Sequence, residues 1–186
     1  MKSLVKGYVK ELMGLLERLD EQQVESAVNR IEAAYRDKKC IFVLGNGGSA
    51  ATAAHFAADF GKNAVKSDEN RPKVISLCDN VPYITAYGND MGYENIFAEQ
   101  LKNLLTEGDL VIAISASGNS PNVIKAAEYA KSKGTGIIAL TGFDGGKLKE
   151  YADIHINVAS SGYEPVEDIH LVTAHIIVYC FKRIYG

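Results

Sequence analysis

Five short apolar runs alternate with helix-like stretches along most of this chain, and that rhythm limits the folds open to it. The runs are apolar throughout rather than at every second residue, as in strands that are buried on both faces. Strands that alternate with helices indicate a parallel sheet in a doubly wound α/β fold. The predicted strands cover residues 40–45, 73–78, 109–115, 136–142 and 153–158.

Apolar residues at helical spacing predict the helices that cover such a sheet. The expected fold is therefore α/β, a three-layer αβα sandwich around five parallel strands. No linker, repeat or low-complexity segment divides the chain, which predicts a single domain over residues 1–186. The predicted helices cover residues 3–19, 22–36, 49–61, 81–104, 120–133 and 165–184.

The N-terminal helical segment, residues 1–36, carries more apolar surface than one domain can cover. Its first helix has Leu4 at helical spacing and also Val5 and Val9 beside that row, so its apolar stripe is wide. A wide stripe on a terminal helix suggests a partner subunit. We therefore expect this segment to serve oligomerisation.

The net charge and the cysteine content indicate which partners and which cellular compartment to expect. The formal net charge is −3, so affinity for an anion must be local, and neither nucleic acid nor a membrane surface is an expected partner. No run of 18 apolar residues is present in the sequence that could cross a membrane. Cys40, Cys78 and Cys180 have no paired spacing, which favours buried thiols in the cytoplasm.

A glycine-rich loop, "GNGGS" at residues 45–49, follows the first predicted strand. Its glycines let a ligand approach the backbone closely, and the next helix begins with free N–H groups. Gly45, Gly47 and Ala50 also fit the dinucleotide pattern G-x-G-x-x-A. The acidic residue after the second strand, Asp79, comes later than that pattern requires. No nucleotide cofactor is therefore expected, and a nucleotide-dependent oxidoreductase is rejected.

A second candidate anion loop follows the third predicted strand. Ser115, Ser117 and Ser120 crowd one turn there, and hydroxyls with helix N–H groups can surround a phosphate without lysine or arginine. Ser120 precedes Pro121, so simple capping of the next helix would account for that serine. A serine-rich loop is foreign to a dinucleotide site but suits a phosphorylated sugar.

Candidate acid–base groups lie on one helix and in one turn. His55 and Asp59, at i and i+4, share one helix face. They could be a stabilising pair, a metal-ligand pair or a base with its partner. Asn89 and Asp90 lie between two glycines, which predicts a turn that is either a site or plain.

The last predicted helix adds more groups of this kind. Its first turn is acidic, which the helix dipole favours, so capping explains some of the carboxylates there. A histidine within an apolar stretch is more often a core residue than a ligand, and His155 in a strand is assigned to structure. The candidates on the last helix are Glu164, Glu167, Asp168, His170 and His175.

Five segments carry a resemblance over nearly the whole chain: "GNGGSAATAAHFAADF", "SLCDNVPYITAYGNDMGYENIFAEQL", "DLVIAISASGNSPNVIKAAEYAKSKG", "IIALTGFDGGKL" and "VEDIHLVTAHI". In order and spacing they resemble the sugar isomerase (SIS) family, in its phosphoheptose isomerase branch. The resemblance implies a homotetramer with sites between subunits. It also implies conversion of sedoheptulose 7-phosphate to D-glycero-D-manno-heptose 7-phosphate, so a sugar phosphate is the expected small-molecule partner.

The resemblance also implies the site residues. Substrate binding falls on Asn46, Gly47, Gly48, Ser49, Asn89, Asp90, Ser115, Ala116, Ser117, Ser120 and Glu167. Zinc, where family members bind it, would be held here by His55, Asp59, Glu167 and His175.

Five positions depart from the family pattern. Asp59 stands in place of a glutamate that is one methylene longer, and Glu167 stands in place of a glutamine. Ala116 replaces a threonine, and Glu164–Pro165 replaces an Asp-Arg pair. A shorter carboxylate can miss its proton by about 1 Å, which can cost on the order of 10²-fold in rate.

Two functions follow as hypotheses. In an isomerase, Asp59 or Glu167 would be the base and His175 the acid. The alternative is a phosphosugar-binding module without catalysis, or a regulator that binds a protein partner, which the substitutions favour. If residues 167–175 are helical, Glu167 and His175 lie about 12 Å apart. Then either the helix begins after Glu167 or a second chain completes a shared metal site.

Overall fold

The computed structural model describes residues 1–66 and 70–185 and has the expected α/β architecture. Its first half contains α1 (Lys2–Glu17), α2 (Glu21–Arg36), β1 (Cys40–Gly45), α3 (Gly48–Asn63), β2 (Lys73–Ser76) and α4 (Val81–Met91). Its second half contains α5 (Ile96–Leu104), β3 (Leu110–Ser115), α6 (Pro121–Ser132), β4 (Gly136–Gly142), β5 (Ile154–Val158) and α7 (Tyr163–Tyr185).

The five strands form one parallel sheet in the order β2-β1-β3-β4-β5. Gly45 at the end of β1 pairs with Ile114, and Ser115 at the end of β3 pairs with Thr141. The loops after β1, β3 and β4 therefore leave the same edge side by side. The strand order reverses between β1 and β3, the point at which open α/β sheets bind ligands.

Two apolar layers cover the two faces of the sheet, which confirms the three-layer prediction. On one face α2, α3 and α7 meet the strands through buried side chains such as Ile31, Phe60 and Phe181. The rings of Phe60 and Phe181 pack edge to face at 4.7 Å between centroids. On the other face α5 and α6 contribute Phe97 and Val123.

The helix predicted over residues 81–104 is wrong, because the chain forms two helices there. The break falls at Gly92, whose φ of +89° lies in the left-handed region that glycine tolerates. A short 3₁₀ helix, Tyr93–Asn95, separates α4 from α5.

The turn predicted at Asn89 and Asp90 is also wrong. Both residues lie in the last turn of α4, which ends at Met91. The Asn80 side chain accepts from the N–H of Tyr83 at 3.1 Å and caps the start of this helix. Helical propagation then continues past the glycine before the Asn-Asp pair, and the chain turns only after it.

The N-terminal helix α1 lies against α7. Leu15 is buried there, and the hydroxyl of Tyr8 donates to Asp168 at 2.6 Å. Its opposite side leaves Val9 50% exposed and Met13 58% exposed, so the predicted stripe is uncovered within one chain. In the described part of the chain, no helix has the length and apolar character needed to span a bilayer.

The "GFDGG" turn after β4 supports the serine loop after β3. The N–H of Gly142 donates to Ala116 at 2.8 Å, and the N–H of Leu148 donates to Gly118 at 2.9 Å. The approach is so close that a Cβ on Gly118 would overlap the carbonyl of Gly145. Gly118 also has a φ of +63°. Glycine is therefore required at position 118 for two separate reasons.

Gly118→Ala should destabilise the chain more than Gly134→Ala, which serves as its matched control. Gly134 has a similar φ of +70°, but no atom of the described residues lies within 4 Å of a Cβ built on it. We expect Gly134→Ala to cost about 1 kcal/mol from backbone strain alone. Gly118→Ala should cost about 3 kcal/mol, because overlap adds to strain. Urea denaturation measures both, and equal costs would contradict the described packing.

Candidate active site

The "GNGGS" loop forms the start of α3. Gly47, at the N-cap, has a φ of +53°, and no side chain caps the helix. The first N–H groups of a helix have no partner inside it, so this end can attract an anionic group. Gly47 and Gly48 are exposed, whereas Ser49 is buried at 4% exposure. The loop therefore offers mainly backbone groups to a ligand.

A carboxylate from another helix already lies beside this loop. A Cβ built on Gly48 would overlap the side chain of Glu167, which projects from α7. A negative charge near a helix N-terminus is favourable. Gly48 is thus the residue that lets the Glu167 carboxylate reach the start of α3.

The serine loop lies next to this site, after β3. Ser115 is buried, and its Oγ lies 3.3 Å from the Oγ of Ser120. Ser120 occupies the N-cap of α6, but its hydroxyl makes no cap hydrogen bond. The predicted N-cap position of Ser120 is confirmed, but its hydroxyl does not cap the helix, so capping does not account for that hydroxyl. The Ser117 Oγ accepts from the N–H of Asn119 at 3.2 Å.

Ala116 lies within the same loop but faces the protein interior. Its methyl group packs in a buried cluster with Leu15, Val158, Val166 and Ile169. The environment of this position is apolar, which suits alanine and does not require a hydroxyl.

Asn46 bonds within the protein rather than standing free. Its amide pairs with that of Asn122 through two hydrogen bonds of 2.8 and 2.9 Å. The hydroxyl of Tyr93 donates to Asn46 at 3.2 Å. The sequence reasoning gave no role to Asn122 or Tyr93. Asn122 stands in the serine motif, whereas Tyr93 has no local signal.

A cluster of two histidines and one carboxylate lies at the solvent edge between α3 and α7. The Nε2 atoms of His55 and His175 are 3.0 Å apart. The Asp59 Oδ2 lies 3.3 Å from His55 Nε2 and 3.8 Å from His175 Nε2. Each of the three side chains is a third to a half exposed. The structure thus brings together residues that are 120 positions apart in sequence.

Asn63 extends this cluster, and the sequence reasoning missed it. Its Nδ2 donates to Asp59 Oδ1 at 3.2 Å, which leaves Oδ2 for the histidines. The signal was present, because His55, Asp59 and Asn63 form a continuous i, i+4 series on one helix face.

Glu167 is outside the cluster within one chain. The helix α7 begins at Tyr163, so residues 167 and 175 are both helical and lie about 12 Å apart along its axis. A start of this helix after Glu167 is therefore wrong. Among the described residues, the group able to share one ion is His55, Asp59 and His175. Glu167 instead lines a neighbouring cavity of about 260 Å³ that also contacts Gly48 and His55.

Asn89 and Asp90 are exposed on α4, and Asn89 donates to Asp90 at 2.7 Å. Among the described residues, neither belongs to the His55, Asp59 and His175 group. Any role in substrate binding stays a prediction.

The other two histidines are structural, as expected. The His155 Nε2 lies 2.6 Å from Thr141 Oγ1, and burial lowers its pKa. His170 is 1% exposed, and its Nε2 donates to the Thr141 carbonyl at 3.0 Å. Burial lowers the pKa of His170 to about 4, although the Thr141 bond opposes that shift. Its Nδ1 has no hydrogen-bond partner among the described residues.

Comparison with known proteins places the chain in a family. The SIS domain family model matches residues 7–142. The chain belongs to the SIS domain family. A phosphoheptose isomerase of Geobacter sp. (strain M21) is 39% identical over 173 residues, covering 93% of this chain and 90% of that protein. One from Sulfurimonas denitrificans is 36% identical, covering 100% of this chain and 98% of that protein.

A solved SIS structure matches the whole architecture. The phosphoheptose isomerase of Neisseria gonorrhoeae superimposes with a TM-score of 0.89 at 28% identity, covering 98% of this chain and 96% of that one. The match agrees with the sheet order and the helix layers described above. The chain therefore lies in the phosphoheptose isomerase branch of the family.

Burial of His170 makes stability depend on pH. The folded chain keeps this ring neutral down to about pH 4, whereas the unfolded chain protonates it near 6.5. The stability tied to the neutral ring is present above pH 6.5 and is lost as pH falls toward 4. His170→Gln keeps an N–H for Thr141 but cannot titrate.

Between pH 7 and pH 4, the free energy of unfolding of the parent should fall by about 3 kcal/mol more than that of His170→Gln. Urea titrations at several pH values measure the difference. Parallel pH profiles for the two proteins would show that His170 is not a neutral core residue.

Proposed function

We propose that this chain is a phosphoheptose isomerase that interconverts sedoheptulose 7-phosphate and D-glycero-D-manno-heptose 7-phosphate. The relatives of this name cover nearly the whole chain. The observation that carries the proposal is the acid–base cluster of His55, Asp59 and His175, on the helices that border two open anion loops. A binding module would need the loops but not the cluster.

The phosphate would bind at the two loops. The start of α3 offers N–H groups, and the starts of α3 and α6 both offer the positive ends of helix dipoles. At α6 the first residue is Pro121 and the Val123 N–H already donates to Asn122, so the serine hydroxyls are the main donors there. The hydroxyls of Ser115, Ser117 and Ser120 add donors around that position. Ala116 keeps its backbone in the loop while its methyl group packs inward. Its replacement of threonine therefore leaves the phosphate donors in place.

The isomerisation would move one proton between two carbons. Asp59 Oδ2 would take a hydrogen from C1 of the ketose, and His175 would protonate the C2 oxygen to give an enediol. Returning the proton to C2, with loss of the O1 proton, gives the aldose. Asp59 suits the role of base because its Oδ2 lies 3.8 Å from His175 Nε2. Glu167 is the alternative base, from the neighbouring cavity.

The cluster also fits a zinc ion. Ligands about 2 Å from a tetrahedral ion lie about 3.3 Å from one another, and the three donor atoms here are 3.0, 3.3 and 3.8 Å apart. His55, Asp59 and His175 would hold the metal. Because Asp59 and His175 are then ligands, the alternative base Glu167 would take the proton in the metal-bound form. When bound, zinc would act as a Lewis acid on a substrate oxygen. Three protein ligands leave one position open, which a substrate oxygen or Glu167 of a second chain would occupy.

The assembly would be a homotetramer with sites between subunits. The exposed stripe on α1 supports this, because Val5, Val9 and Met13 recur at four-residue spacing and are each at least half exposed. Such a row of apolar side chains is typical of a surface covered by a partner. The cytoplasm suits Cys40, Cys78 and Cys180, which are free thiols.

Val9→Glu should dissociate the oligomer, because it places a charge in the middle of the stripe. Lys10→Glu introduces the same side chain one position away, at a residue that is already charged and exposed, and should leave the assembly intact. Size-exclusion chromatography with light scattering gives the mass against one chain of 20.2 kDa. A Val9→Glu variant of parental mass would remove the stripe from the interface.

Proton NMR in D2O with sedoheptulose 7-phosphate tests the isomerase. The parent should replace C1 hydrogen by deuterium and produce aldose signals. His175→Ala and Asp59→Asn should each slow this exchange by about 10²-fold or more, because each removes a proton-transfer group. His170→Gln alters a histidine on the same helix outside the cluster and should exchange at the parental rate.

The other outcomes reassign the roles. If Glu167→Gln stops the exchange and Asp59→Asn does not, Glu167 is the base. If the parent binds the sugar phosphate but shows no exchange, the chain is a binding module and the isomerase proposal is wrong.

A further inference from the structure

Asn46 and Asn122 join the two anion loops through a reciprocal pair of amides. Asn46 Nδ2 donates to Asn122 Oδ1 at 2.8 Å, and Asn122 Nδ2 donates to Asn46 Oδ1 at 2.9 Å. Asn46 directly follows β1, and Asn122 lies in the first turn of α6, directly after the serine loop. The pair therefore bridges the point at which the strand order reverses.

Asn122 is buried and Asn46 is half-buried, and the oxygens of both are saturated. Asn122 is 2% exposed, and its Oδ1 also accepts from the N–H of Val123 at 3.0 Å. Asn46 Oδ1 also accepts from the Tyr93 hydroxyl at 3.2 Å. An amide oxygen has two lone pairs, and both are used on each residue. Turning either amide over would set oxygen against oxygen, so the network fixes both orientations.

This saturation restricts what Asn46 can do for a ligand. Its oxygen has no free lone pair, and one of its two Nδ2 hydrogens is used. Its strongest contacts are with a buried partner on the neighbouring loop. A change of about 1 Å in the spacing of two binding elements can cost on the order of 10²-fold in rate.

We propose that Asn46 and Asn122, with Tyr93, form a clasp that sets the spacing of the two anion loops. Asn46 is then a positioning residue that acts through Asn122. The choice of ligand rests on the proposed function, whereas the clasp does not.

Hydrogen–deuterium exchange tests the clasp on the ligand-free protein. Asn46→Ala should speed exchange about tenfold in residues 115–119, on the opposite loop. Asn122→Ala should do the same in residues 47–50. Gln100→Ala is the matched control, because Gln100 is also 2% exposed and its amide bonds to backbone carbonyls elsewhere, at Leu77 and Ile96.

The control should lower stability without changing exchange in either loop. Unchanged exchange in the opposite loop, in both Asn variants, would overturn the clasp. The variants are compared at a temperature at which each is folded by circular dichroism. Tyr93→Phe removes one donor and keeps the pair, so it should give a smaller effect in the same peptides.

A double-mutant cycle on kcat/KM for sedoheptulose 7-phosphate tests the route by which Asn46 acts. Asn46→Ala and Asn122→Ala should each lower kcat/KM about tenfold, and the double variant should lose no more than either single one. Additive losses, or a loss confined to Asn46→Ala, would mean that Asn46 contacts the substrate and would overturn the positioning role. If the parent neither turns over the sugar phosphate nor takes deuterium into it, the isomerase proposal is wrong. The clasp would still stand if the Asn variants change amide hydrogen exchange in the opposite loop.

Discussion

The parallel register of β1, β3 and β4 is the constraint on which the rest of the structure depends. Because Gly45 lies opposite Ile114 and Ser115 lies opposite Thr141, three loops emerge together at one edge. The loop after β1 supplies the open start of α3, and the loop after β3 supplies hydroxyls. The "GFDGG" turn after β4 supports the serine loop by backbone hydrogen bonds. A slip of one residue would separate the groups that we propose to bind one phosphate.

The packing of α3 on α7 is the second determinant of the site. Phe60 and Phe181 hold the two helices together in the core, and His55, Asp59 and His175 lie on the adjacent solvent edge. The same pair of helices brings Glu167 over Gly48. The proposed acid–base groups and the proposed anion-binding backbone therefore share one rigid support, which is what proton transfer within a bound sugar phosphate would require.

The departures from the family pattern have local physical settings. Ala116 faces apolar neighbours, so a methyl group is well accommodated there. The shorter Asp59 is held by Asn63 on one oxygen and faces both histidines with the other. Glu167 carries a charge where the family has a neutral amide, and the beginning of α3 provides a favourable electrostatic environment for that charge. These settings are compatible with an active isomerase.

The sequence by itself determined the five strands, the fold class and most of the candidate residues. Uniform apolar runs indicate buried strands, and loop glycines indicate turns, so both are local signals. It placed Asn89 and Asp90 in a turn and joined α4 to α5, since glycine marks a possible break without saying which glycine is used. Only the tertiary structure decided that His175 joins His55 and Asp59 while Glu167 does not. Only it showed that Asn46 pairs with Asn122 and that the Ser120 hydroxyl at the N-cap of α6 makes no capping hydrogen bond. Those outcomes depend on how distant elements pack, and no local pattern contains that information.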